Sequence, residues 1–137
     1  AMSVALYIVC ERDIDGFDPF VNGKAVGHAD EEALEAICVE LGVPPLMAFY
    51  SENPDVLAEF LDEELEDEAP SRDELPAEEW FSAADGLVTV EALAGHLQAH
   101  PAALPDTVAI VEDLREYAQV LTRLKKEKVR WHFAMDF

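Results

Sequence analysis

The last nine residues, 129–137, read Val-Arg-Trp-His-Phe-Ala-Met-Asp-Phe and alternate apolar with polar or small side chains. Val129, Trp131, Phe133, Met135 and Phe137 fall on one face, and Arg130, His132, Ala134 and Asp136 on the other, as in a strand with one face toward a core. A strand this apolar does not stay solvated, and an unpaired edge invites aggregation, so it requires a partner. Residues 3–10, Ser-Val-Ala-Leu-Tyr-Ile-Val-Cys, supply one. Val4, Leu6, Ile8 and Cys10 share one face and Ala5, Tyr7 and Val9 the other; with both faces apolar, this segment belongs inside a sheet. The expected centre of the fold is a small, mainly antiparallel sheet in which the N- and C-terminal strands pair, with everything between them built around that contact.

The intervening residues read mostly as helix. Asp30 is a good N-cap, followed by Glu31 and Glu32 at the positive end of the helix dipole. Leu34, Ile37, Cys38 and Leu41 then recur at helical spacing until Gly42 and Pro44-Pro45 stop the run. Leu46, Phe49 and Tyr50 suit a short helical turn. Asn53-Pro54 starts a further helix with Leu57, Phe60, Leu61 and Leu65 as its stripe. Asp85-Gly86 opens another, with Val90, Leu93 and Leu97 facing inward. Pro105-Asp106 opens the longest, over 106–127, whose apolar positions Ile110, Leu114, Tyr117, Leu121 and Leu124 are widened by Val111 and Ala118 into a globular packing face. That helix is expected to receive the Trp131, Phe133 and Met135 face of the last strand. Asn22-Gly23, between short apolar flanks, predicts a hairpin near 18–27. Residues 66–79 contain Pro70 and Pro76 without apolar periodicity and read as a long acidic loop, which Trp80-Phe81 pins back onto the core. With 137 residues, half of them hydrophobic, and no internal repeat, the chain reads as one α+β domain over 2–137, with about four helices covering the sheet.

Charge sorts the functional classes. Thirty Asp and Glu against nine Lys and Arg give a net charge of −21. Residues 1–114 hold 27 acids and 3 bases, whereas 115–137 hold 3 acids and 6 bases. Such a field repels nucleic-acid phosphates and anionic membranes and attracts basic protein surfaces. No basic-then-apolar leader opens the chain, and no apolar run reaches the roughly 18 residues of a membrane span. Cys10 and Cys38 lack metal spacing and sit on apolar faces, so the expected compartment is a reducing cytoplasm.

Sharp catalytic motifs are missing from the sequence. The glycines form neither a phosphate loop nor a dinucleotide fingerprint. Asp13, Asp15 and Asp18 resemble the start of a calcium loop, but Gly16 is misplaced and Lys24 stands where the closing glutamate belongs. His96 and His100 lie one helical turn apart, a spacing that suits a transition metal, yet Leu97 replaces the glutamate of hydrolytic zinc helices and no third ligand is fixed. These two are the weak metal candidates, and no cofactor is expected. Arg130 and His132 emerge on one strand face roughly 7 Å apart, a possible ligand face for an anion or a proton transfer. Asp136 is too distant to complete a dyad, and the expected state of that face is an ordinary solvated surface of mixed charge.

The densest signal is residues 52–79, with thirteen acids against Arg72 alone. Glu63, Glu64, Glu66, Asp67, Glu68, Asp73 and Glu74, with Leu75 and Trp80 as apolar anchors, form the expected partner-binding surface. The leading expectation is a non-enzymatic binding or regulatory protein, immunity- or inhibitor-like, that docks a basic protein. The alternatives are an enzyme for a small molecule or metal-dependent reaction using Arg130 and His132 or His96 and His100, and a self-associating structural protein.

Overall fold

In the computed structural model the described residues are 5–52 and 77–136. The chain forms an α+β fold in which strand β1 (Ala5–Cys10) pairs antiparallel with strand β2 (Trp131–Asp136), so the two ends of the chain do meet. The register sets Leu6 opposite Met135, Ile8 opposite Phe133 and Cys10 opposite Trp131. Leu6, Ile8, Trp131 and Phe133 are buried, on the face the alternation assigns to the core.

Four helices are seen among the described residues: α1 (Lys24–His28), α2 (Glu31–Leu41), α3 (Ala83–Ala99) and α4 (Thr107–Glu127), with a 3-10 turn at Leu46–Phe49 between α2 and α3. Asp30 caps α2 through its carboxylate, which accepts from the Glu32 and Ala33 amides, and Gly42 ends the helix in the left-handed conformation. The most extensive contact between elements is α3 against α4. Ile110, Leu114, Tyr117, Leu121 and Leu124 are all buried on α4, and Val90, Leu93 and Leu97 on α3.

The inward face of β2 is not given to α4 alone: Phe133 goes to α4, Trp131 to α3 and the 3-10 turn, and Met135 to the side of α1 and α2. Phe133 meets the Tyr117 ring edge-on at 5.0 Å, and the Tyr117 hydroxyl donates to the Leu6 carbonyl at 2.5 Å. Trp131 lies over α3 instead. Its indole N–H donates to the Ser82 carbonyl at 3.1 Å, and its ring fills the space where a Cβ on Gly86 would stand, 2.2 Å from Cζ2. Gly86 therefore lies inside α3 as a seat for the indole and does not start the helix. The start is Ala83, capped by the Ser82 hydroxyl, which accepts from the Ala84 amide.

The expected hairpin near 18–27 does not form. Gly23 takes a left-handed φ of 64°, but its carbonyl accepts from Leu6 N–H of β1 at 3.1 Å and from Gly27 N–H at 2.9 Å. Asn22-Gly23 thus leads into α1, because the chain there is pressed against β1: a Cβ on Gly23 would come within 1.9 Å of the Leu6 carbonyl oxygen. The missing side-chain cap of α1 comes from far along the chain, where the Asp113 carboxylate of α4 accepts from Ala25 and Val26 N–H at 2.9 and 3.2 Å. The expected helix with Leu57, Phe60, Leu61 and Leu65 lies outside the described residues. No helix among the described residues is long and apolar enough to cross a membrane.

Candidate functional site

A strand exposes its backbone groups on two edges. In β2 one edge is taken by β1, and the Arg130 carbonyl extends that ladder by accepting from Glu11 N–H at 2.9 Å. The groups of Trp131 and Phe133 point to the other edge, which two short pieces of chain cover. Phe81 exchanges both backbone hydrogen bonds with Trp131, at 2.8 and 3.0 Å, and Ser51 N–H donates to the Phe133 carbonyl at 3.0 Å. These pieces are the two flanks of the acidic run. They are also tied to each other, because the Ser51 hydroxyl accepts from Glu79 N–H at 2.8 Å.

The chain therefore leaves the sheet at Ser51 and is back beside it at Glu79, and residues 53–76 connect two points of one clamp. Of the expected partner-binding residues, Glu63, Glu64, Glu66, Asp67, Glu68, Asp73, Glu74 and Leu75 lie outside the described residues. Trp80 is half-buried, its ring 4.7 Å from the His132 imidazole. Three acids stand at the clamp itself: Glu52, which accepts from the Tyr50 hydroxyl, Glu78 and Glu79. Burial and the Glu52 carboxylate together push the Tyr50 hydroxyl well above its ordinary ionisation range.

The clamp also decides the fate of Arg130 and His132. The face they share is not the solvated surface expected. His132 is 1% exposed, because the returning chain at Glu78–Trp80 lies over it. Its Nε2 is 2.6 Å from a Glu78 carboxylate oxygen and its Nδ1 is 3.0 Å from the Phe133 carbonyl, so both ring nitrogens face acceptor oxygens. Arg130 stays exposed at the end of the strand, where Nε and Nη2 donate to the two carboxylate oxygens of Glu11 at 2.9 and 2.6 Å. That bidentate pairing holds the Glu11 carboxyl below its usual range and raises the guanidinium further. The shallow depression of about 250 Å³ beside Arg130 is lined by Lys125 and Lys128 and excludes His132. The two side chains share a face by alternation but serve separate contacts.

His96 and His100 stack at 4.5 Å. His100 is the residue after the last turn of α3, and its Nδ1 lies 2.9 Å from the His96 carbonyl, so the ring satisfies a helix-end acceptor. No group of three or more potential metal ligands is found among the described residues. Cys38 is fully buried and Cys10 partly so, and burial pushes both thiols up, away from the thiolate a nucleophile needs.

Two contributors carry no sequence signal. Glu78 is one acid among thirteen, and only the fold pairs it with a histidine 54 positions away. Ser51 is an unremarkable serine until its hydroxyl closes the clamp. No family model, curated protein or solved structure matches this chain.

Proposed function

We propose that the protein is a non-enzymatic binding or regulatory module that docks a basic protein through the acidic run of residues 52–79. The observation that carries this reading is the clamp: a run with thirteen acids against one base departs and returns at adjacent points on β2, joined by the Ser51–Glu79 hydrogen bond. Binding segments are held in this way, as long connections positioned by a packed scaffold. Dense like charge there steers an oppositely charged protein and raises its encounter rate.

Three of the four side chains an enzyme reading would use are otherwise engaged. Arg130 is taken by Glu11, His132 by Glu78 and the Phe133 carbonyl, and the His100 ring by the end of α3. Trp80, expected as an apolar anchor, is turned toward His132 within the fold, so it contributes to holding the clamp.

The test is capture by the tagged protein at low salt, with a parallel variant carrying Glu→Gln at 63, 64, 66 and 68. A stoichiometric basic partner that weakens about tenfold or more at high salt, and is lost with the variant, is the expected result. A partner that binds the variant unchanged overturns the assignment of the surface. A mass in solution that falls from dimer to monomer as salt rises would mean that the basic end of α4, with Lys125, Lys126 and Lys128, meets the acidic run of a second copy.

A further inference from the structure

Trp80, one of the two expected apolar anchors, is turned toward His132, and electrostatic steering alone gives encounter more than affinity. A second feature among the described residues offers an apolar anchor point. Between α1, the first turns of α2, the 3-10 turn and the end of the sheet lies an open cleft of about 330 Å³. Leu6, Val26, Leu34 and Leu46, all buried, are among the residues that line it. Met47 and Met135, partly exposed, add unbranched thioether side chains that adapt to different shapes.

The charged lining is of one sign. Glu31 and Glu35, one helical turn apart on α2 and exposed, belong to the lining, and it includes no lysine or arginine among the described residues. No basic side chain pairs with either glutamate among the described residues. Ala48, also in the lining, is three positions before Ser51, where the acidic run leaves the sheet.

We infer that this cleft receives an apolar side chain of leucine or phenylalanine size, flanked by lysine or arginine, from the basic protein partner. The inference rests on the docking reading and adds where the affinity resides: the apolar group is buried among Leu6, Leu34 and Leu46, and its basic neighbours meet Glu31 and Glu35. A pocketed apolar anchor inside a charged rim is the usual anatomy of an interface hot spot.

The test uses three synthetic peptides, Lys-Lys-Phe-Lys-Lys, five lysines, and Glu-Glu-Phe-Glu-Glu, titrated into the full chain and followed by amide chemical shifts. The expected result is that the phenylalanine-bearing basic peptide binds about tenfold or more tightly than pentalysine, since a side chain is withdrawn from water. Its shifts should cluster on α2 and the 3-10 turn. Ala48→Phe, at an exposed position of the lining where a larger side chain leaves the core untouched, should remove that advantage. Glu35→Gln should weaken both basic peptides.

If the two basic peptides bind equally, or Ala48→Phe leaves the advantage intact, the cleft assignment is overturned while the docking reading stands. If neither basic peptide binds better than the acidic one, the docking reading fails and the cleft assignment with it.

Discussion

The two faces of β2 are held by different physics. Trp131 and Phe133 point into the core, where Trp131 stacks on Phe49 at 5.4 Å and Phe133 meets Tyr117. That face is dispersion and close packing, in which each ring is located by the shape of its neighbours. His132, on the opposite face, is as deeply buried, yet what locates it is one hydrogen bond and one ring contact from the returning chain, at Glu78 and Trp80, and a hydrogen bond to the Phe133 carbonyl of its own strand. Alternation along a strand states which side chains point away from the core. It does not state whether that second face meets water or another piece of chain.

The comparison breaks most severely on the packed face. Trp131→Ala should cost about 3–5 kcal/mol in urea unfolding, as for other large-to-small core changes. Gly86→Ala should cost about 1–3 kcal/mol through overpacking, since the new methyl lands on a rigid indole. If Gly86→Ala leaves stability unchanged, the division of β2 between α3 and α4 is wrong.

An intermediate effect belongs to the covered polar face. His132→Gln and Glu78→Gln should each cost about 1–3 kcal/mol, the range for a charged hydrogen bond lost from a buried site. The double variant should cost less than the two singles together, with a coupling of about 1–2 kcal/mol in the cycle. Additive losses would mean that the His132–Glu78 hydrogen bond contributes nothing to holding the clamp.

The smallest effect is at the exposed end of the strand. Glu11 ionises more readily in the folded chain than in the unfolded one because Arg130 donates to it. Its contribution is therefore present above the unfolded glutamate value and lost as pH falls through the lower folded value. Arg130→Ala should lower neutral-pH stability slightly, to the level the wild type keeps at low pH, and so remove the acid-side loss; the difference should shrink in high salt because both partners face solvent. A large loss at neutral pH would show that Arg130 belongs to the clamp.

The strands, the long helix and its buried stripe were legible because their signals are local and periodic. Val90, Leu93 and Leu97 of α3, and Ile110 to Leu124 of α4, announce a buried face by spacing alone. Asn22-Gly23 misled for the opposite reason. A positive φ at glycine is a local property, but whether it closes a hairpin or opens a helix depends on β1 lying against it. The acidic run was visible as composition, whereas the ties at its two ends were not, since Ser51–Glu79 and Glu78–His132 join residues 28 and 54 positions apart.

By itself the sequence determined two terminal strands whose apolar faces require a partner, the inward faces of α3 and α4 and the sign of the electrostatic field, because periodicity and charge are properties of neighbours along the chain. Only the tertiary structure decided that Arg130 and His132 serve separate contacts, that Trp80 turns inward, and that an apolar cleft opens beside Glu31 and Glu35. Those outcomes depend on which distant segments share space, and packing sets that after the local elements are formed.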